Sequence, residues 1–132
     1  MANEQALRDD NRVPSLLVEN AATGETKRLK DTDFSGDSPA SAAGNGRKVV
    51  ASAGTAEALA ATTAIKSVVI TAETDNTGIV VVGGSGVVAS LSTREGTPLN
   101  AGDSISIDID DLAEVYLDST VNGEGVTYTY LT

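Results

Sequence analysis

Hydrophobic and polar residues alternate along the second half of the chain. In residues 104–109 every second residue is an isoleucine, and a period of two places successive side chains on opposite faces of a strand. Val126, Tyr128 and Tyr130 alternate with two threonines in the same way. Both segments therefore predict strands with one face in a core and the other face in solvent.

Short apolar runs separated by turn residues predict the remaining strands. The run at residues 79–82 is apolar throughout, which predicts a central strand covered on both faces. Residues 83–86 are rich in glycine, and Asn122-Gly123 is the strongest short hairpin signal in the chain. We predict strands at residues 48–53, 57–60, 65–73, 78–82, 87–91, 104–108, 114–118 and 125–131. A rival interpretation makes residues 55–64 a helix, because alanine is the best helix former.

This spacing of strands and turns predicts an all-β fold. The fold class is a small antiparallel β-sandwich or jelly-roll-like barrel, formed by residues 47–132. Residues 35–46 are small and polar and include three glycines and one proline, so they are predicted to be a flexible linker.

Residues 1–34 are predicted to form an extended N-terminal arm. They are charged and polar apart from one apolar cluster, in which Pro14 interrupts any helix. Residues 15–19 and 26–29 predict a short strand and a return strand joined by a turn. Because such an arm buries little surface on itself, we expect it to become ordered against a partner.

Composition and charge restrict the class of partner. The chain has no Trp, one Phe and three Tyr, so its core is built from small aliphatic residues, and a thin core favours oligomerisation or a supporting surface. Nine Lys and Arg stand against 19 Asp and Glu, giving a net charge of −10. Such a surface repels nucleic acid and anionic lipid. We therefore expect a protein partner, and neither a nucleic acid nor a membrane.

The polar N-terminus and the lack of a long apolar run bear on localisation. No run approaches the roughly 20 residues that span a bilayer, and the first residues lack the apolar region of a secretory signal. Both observations predict synthesis in the cytoplasm.

The residue types leave little room for catalysis. Without His or Cys, the Ser–His–Asp and Cys–His sites of nucleophilic enzymes are excluded, and we expect neither an enzyme nor a cofactor. A glycosidase-type carboxylate pair stays open by residue type, although aromatic platforms for a sugar are nearly absent. Asp108, Asp110 and Asp111 form the dense acidic cluster. They are either a cation site, without EF-hand spacing, or a solvated strand end and turn.

Residues 7–17, Leu-Arg-Asp-Asp-Asn-Arg-Val-Pro-Ser-Leu-Leu, carry the most specific signal in the chain. They resemble the "RDENRVPTLLGVS" opening of a group of tailed-phage virion structural proteins of the head-fibre or capsid decoration type. Residues 18–20 depart from that pattern, which usually has Gly-Val-Ser there. The second half is also similar to a small domain common in phage structural proteins, at residues 65–70, 76–78, 80–83, 99–104, 108–112 and 115–118.

The resemblance implies that the arm is the docking segment. Its partner would be the major capsid protein or another virion protein. Arginines offer forked donors to carboxylates, and the apolar residues would anchor the arm in a partner surface. The predicted partner-binding residues are Arg8, Asp9, Asn11, Arg12, Val13, Pro14, Leu16 and Leu17.

These observations lead to an expected function, with two alternatives for the function and a third alternative for the arm. We expect a capsid decoration protein, made in the host cytoplasm and located on the outer capsid surface, that stabilises the shell as a homo-oligomer or lattice-bound array. One alternative is a tail adaptor or fibre-base protein. Another is a receptor- or carbohydrate-binding module that uses the outer loops of the β domain. In the third, residues 1–34 pack against their own domain as an ordinary extension.

Overall fold

A computed structural model describes residues 38–132 and, before them, the backbone of two short strands, β1 (Leu17–Glu19) and β2 (Thr26–Arg28). The chain divides into two compact units, Met1–Pro39 and Ala40–Thr132. In the first unit β1 and β2 pair in antiparallel orientation, with Val18 opposite Lys27. This pairing confirms the predicted strand and return strand of the arm.

The second unit is a jelly roll of eight strands. They form two antiparallel sheets, ordered β3-β10-β5-β8 and β4-β9-β6-β7. Counted from β3, the orders are 1-8-3-6 and 2-7-4-5, the two interlocked Greek keys of a jelly roll. The strands are β3 (Ala43–Val49), β4 (Glu57–Ala58), β5 (Ser67–Ala72), β6 (Val80–Gly83), β7 (Thr97–Leu99), β8 (Ser104–Ile107), β9 (Tyr116–Ser119) and β10 (Gly125–Leu131). The predicted all-β sandwich is confirmed.

The core lies between the two sheets and is aliphatic, as the composition predicted. Fully buried residues such as Ile70, Val80 and Leu117 come from both sheets and form one cluster. The period-two prediction for β8 is confirmed, because its isoleucines pack against this cluster while Ser104 and Ser106 are exposed. Removing these side chains from water is the main favourable contribution to folding.

Strand β6 is covered on both faces, as its continuous apolar run predicted. Val80 and Val82 belong to the main core. Val81 points to the other face of the second sheet, where it packs with Val87 and Ala89. The long connection between β6 and β7 therefore contributes a second, smaller apolar cluster on the outside of this sheet.

Two local predictions are wrong. Residues 87–91 are not a strand, because Val88 makes only a single bridge with Glu95. Asn122-Gly123 is a turn with Gly123 at a φ of 88°, but it does not close a hairpin. Strand β9 pairs with β4 and β6, whereas β10 pairs with β3 and β5, so this turn carries the chain from one sheet to the other. The rival interpretation of residues 55–64 as a helix does not hold, because β4 lies there, within the strand predicted at residues 57–60.

Strand β3 begins earlier than predicted and includes residues 43–46 of the predicted linker. Gly44 lies opposite Tyr130 and Gly46 lies opposite Tyr128. A Cβ atom at either glycine would overlap the phenol end of the tyrosine that it faces. These glycines leave room for two aromatic rings, although their composition is typical of a flexible segment.

Candidate partner-binding surfaces

The predicted docking residues of the arm lie almost entirely outside the described residues. Leu17 is the first residue of β1, where its backbone pairs opposite Arg28. The structure therefore does not test whether the predicted docking residues lie close together, and the docking role of the arm stays a prediction. The residues outside the described part are Arg8, Asp9, Asn11, Arg12, Val13, Pro14 and Leu16.

The acidic cluster before β9 contains a helix cap. Oδ1 of Asp111 accepts hydrogen bonds from the backbone N–H groups of Thr63 and Ala113, both at 2.9 Å. Asp111 thereby caps the 3-10 helix Leu112–Glu114, while Asp108 and Asp110 are exposed. In the described part of the chain no group of three or more acidic, His or Cys side chains is placed to hold a metal ion. The hydrogen bonds of Asp111 therefore favour the interpretation of this acidic cluster as a strand end and turn.

Three uncharged loops meet at one cleft of the jelly roll, and together we call them the three-loop surface. They are residues 51–56, 84–93 and 119–123, and none of these segments contains an Asp, Glu, Lys or Arg. The cleft between them has a volume of about 260 Å³. Its lining residues are Ala53, Gly54, Ser90, Ser119 and Thr120.

A buried carboxylate holds the three loops together. Asp118, on β9, is 1% exposed. Its Oδ1 accepts the N–H groups of Gly54 at 2.7 Å and Ser119 at 2.8 Å, and its Oδ2 accepts the N–H of Ala89 at 2.7 Å. Charge-assisted bonds of this kind offset the cost of removing a carboxylate from water. Asp118 thus fixes one residue from each loop.

The three-loop surface offers hydroxyl groups and exposed aliphatic side chains. Leu91 is 82% exposed and Val121 is 41% exposed, and they directly follow two residues that line the cleft. On a chain with a net charge of −10, such a surface suits a neutral partner. Its residues can make hydrogen bonds and apolar contacts with a partner, but the described residues that line the cleft include no acid–base pair.

Glu124 plays a similar structural role at another loop. It is 5% exposed, and its Oε1 accepts bonds from the Thr77 N–H at 3.0 Å, the Thr77 hydroxyl at 2.9 Å and the Gly78 N–H at 3.2 Å. Its Oε2 has no hydrogen-bond partner among the described residues. Sequence reasoning missed both Asp118 and Glu124, because an acidic residue beside a turn ordinarily faces solvent.

The two cations of β3 each form an ion pair with a glutamate outside the strand. Nη2 of Arg47 lies 2.8 Å from Oε2 of Glu73, and Nζ of Lys48 lies 2.8 Å from Oε2 of Glu57. The hydrogen bond from Arg47 lowers the pKa of Glu73 below its ordinary value of 4.5, and the bond from Lys48 does the same for the pKa of Glu57. Glu57 also accepts the backbone N–H of Ala51 at 2.8 Å.

These pairs predict a loss of stability in acid. A carboxyl group whose pKa is lowered by folding stabilises the fold above its unfolded pKa, here 4.5, and that contribution is lost as the pH falls through the lower folded pKa. We expect the melting temperature of Glu73→Gln to fall less steeply than that of the native chain between about pH 5 and about pH 3. The exposed control Glu95→Gln should follow the native curve. If the melting temperatures of Glu73→Gln and the native chain fell equally between about pH 5 and about pH 3, the ion pair of Glu73 would not contribute to the loss of stability in acid.

The described helical segment does not reach the length or hydrophobicity that crossing a membrane requires. Comparisons of the chain with protein-family models, with curated proteins and with solved structures found no match.

Proposed function

We propose that this chain is a virion structural protein that decorates the capsid of a tailed phage. Residues 1–34 dock on the major capsid protein, and the jelly roll lies on the outer surface. One observation carries the proposal: both sheets of the jelly roll are complete from β3 to β10, while β1 and β2 form a sheet of their own. The jelly roll therefore needs no strand from the arm, which leaves the arm for a partner.

The arm is suited to docking because it cannot bury much surface alone. A two-stranded hairpin is marginally stable in water and gains order from a surface that covers it. Val13, Leu16 and Leu17 supply apolar anchors, and Arg8 and Arg12 supply forked donors to carboxylates. A segment that binds the assembled shell better than free subunits stabilises the shell by mass action.

The jelly-roll architecture of residues 40–132 is compatible with this role. Jelly rolls occur in viral capsid proteins and in lectins, although a fold alone does not determine function. The buried carboxylates Asp118 and Glu124 are committed to backbone groups of loops. This use of acidic side chains supports a structural protein whose loops are held in one conformation.

A second candidate function is carbohydrate or receptor binding through the three-loop surface. Its uncharged cleft, lined by hydroxyl groups, is the observation that favours it. Binding of the purified chain to a glycan array, lost in Ser90→Leu, would support this alternative. A tail adaptor would share the docking arm and differ from a decoration protein only in location.

Docking through the arm predicts a specific loss of capsid binding. The double variant Leu16→Asp/Leu17→Asp should bind expanded capsids at least about tenfold more weakly in co-sedimentation, because charged groups replace two anchors and each factor of ten costs about 1.4 kcal/mol. The control Leu91→Asp makes one such leucine-to-aspartate change at an exposed position of the jelly roll and should leave binding unchanged. Unchanged binding of the double variant would contradict the docking arm. Equal binding of the native chain to free capsid subunits would contradict stabilisation of the shell.

A further inference from the structure

The jelly roll has four edge strands within residues 38–132, and β3 differs from the others in length. Strand β4 has two residues, β7 has three and β8 has four, whereas β3 has seven. Short edge strands limit pairing with other chains, and Pro98 in β7 limits it further. Strand β3 contains no proline and pairs residue by residue with β10, without a bulge. It is the edge best able to accept another strand.

Alternate residues of β3 direct their backbone groups to the open edge. Just before β3, Ala42 exchanges two hydrogen bonds with Thr132, and just after it the Val50 N–H donates to the Glu124 carbonyl at 2.9 Å. Hydrogen-bonded pairs recur every second residue of an antiparallel ladder, so the even-numbered residues bond β10. Within the described part of the chain β3 has β10 as its only strand neighbour. The residues with outward N–H and C=O groups are therefore Ala43, Asn45, Arg47 and Val49.

Side chains near this edge favour the close approach of a second strand. Ala43 and Asn45 are small and exposed. On the inner face the phenol ends of Tyr128 and Tyr130 lie over Gly46 and Gly44, and both tyrosines are only half-buried. Tyrosine is enriched in protein interfaces because a rigid ring gives a large contact area together with a hydroxyl group. Two of the three tyrosines in the chain lie at this edge.

The charge at the edge favours a second copy of the same chain as its partner. Strand β3 contains no acidic residue, and its two cations, Arg47 and Lys48, are paired with Glu73 and Glu57 of the same chain. The edge is therefore locally neutral, although the chain has a net charge of −10. Two copies that meet here bring no excess of like charge into contact, and an identical edge is self-complementary about a two-fold axis.

We propose that two copies pair through β3 in antiparallel orientation. The sheet β3-β10-β5-β8 of each copy then joins the same sheet of the other copy to form one continuous sheet of eight strands. In the register that uses all four outward residues, Ala43 lies opposite Val49 of the second copy and Asn45 opposite its Arg47. Gly46 then faces Gly46 at the two-fold axis, in the closely spaced type of pair where small residues fit best. This inference rests on the jelly roll alone and does not depend on the proposed capsid partner.

The experiment uses the full chain and a proline substitution at an outward position. Asn45→Pro removes an N–H that points to the open edge and leaves the bonds between β3 and β10 in place. Analytical ultracentrifugation should show a dimer for the native chain and a monomer for Asn45→Pro. The matched control Asn45→Ser keeps the N–H and should remain a dimer. In the native dimer, the outward amides of β3 should exchange with deuterium at least about tenfold more slowly than in Asn45→Pro.

A second variant decides the result if Asn45→Pro does not fold. Ala43→Lys/Asn45→Lys places like charges on the open edge, as natural edge strands do, and should also be monomeric. A native chain that stays monomeric up to about millimolar concentration, with fast-exchanging outward amides, would overturn the proposal. A dimer that persists in the folded variants would overturn it too, because another surface would then hold the dimer.

Discussion

Replacing Asp118 with alanine is expected to lower the free energy of unfolding by about 3–5 kcal/mol. The change leaves three backbone N–H groups, those of Gly54, Ala89 and Ser119, without their acceptor. Each unsatisfied buried donor costs about 1–3 kcal/mol, and water reaching the loops recovers part of that cost. The three-loop surface should lose its fixed shape together with the stability.

Urea denaturation of Asp118→Ala and of a matched control measures this effect. Asp108→Ala makes the same chemical change at an exposed position and should shift the free energy of unfolding by no more than about 0.5 kcal/mol. Asp118→Asn keeps one acceptor oxygen and should fall between the two. If Asp118→Ala lost less than about 1 kcal/mol, Asp118 would not be the residue that holds the loops.

Replacing Leu117 with alanine is expected to cost about 2–5 kcal/mol of unfolding free energy. Leu117 is fully buried on β9 and belongs to the main core. A core built from small aliphatic residues has few large side chains to lose, and the whole domain has only about 5–15 kcal/mol of stability. The variant should therefore lose a large fraction of the stability of the domain and melt at a clearly lower temperature than the native chain.

Calorimetry on Leu117→Ala and Leu91→Ala tests whether burial determines the cost. Both variants make the same substitution, but Leu91 is 82% exposed and its replacement should change the free energy of unfolding by less than about 0.5 kcal/mol. Equal melting temperatures for the two variants would contradict the assignment of Leu117 to the core.

The strands predicted best are those whose pattern is local. Strand β10 occupies the predicted residues, and β6 and β8 lie within one or two residues of their predictions. In each case the alternation or the apolar run reports directly which faces are buried. Their pairing into a jelly roll depends on contacts between distant residues, so the sequence supports only the fold class.

The errors come from features whose meaning depends on tertiary contacts. Asn122-Gly123 has the residues of a hairpin turn, but the sheet that the next strand joins is decided elsewhere in the chain. Gly44 and Gly46 are typical of a linker by composition, and only the opposing tyrosines explain them. Strand β7 was missed because three residues that include a proline carry almost no strand signal.

The candidate surfaces were predictable to different degrees. The docking residues of the arm follow from a sequence resemblance, whereas the three-loop surface depends on three distant segments meeting at Asp118. The absence of charge from each loop is visible in the sequence, but not their proximity. Two of the 19 acidic residues, Asp118 and Glu124, are buried against backbone groups, so a partner cannot contact them directly.

Cryo-electron microscopy of intact virions tests the central proposal most directly, since it locates the chain and shows what residues 7–18 contact. We expect density for the jelly roll over the icosahedral shell, with Val13, Leu16 and Leu17 buried against the major capsid protein. Density confined to the neck, the vertex or the tail would contradict capsid decoration. An arm that packs only on its own jelly roll would contradict the docking mechanism.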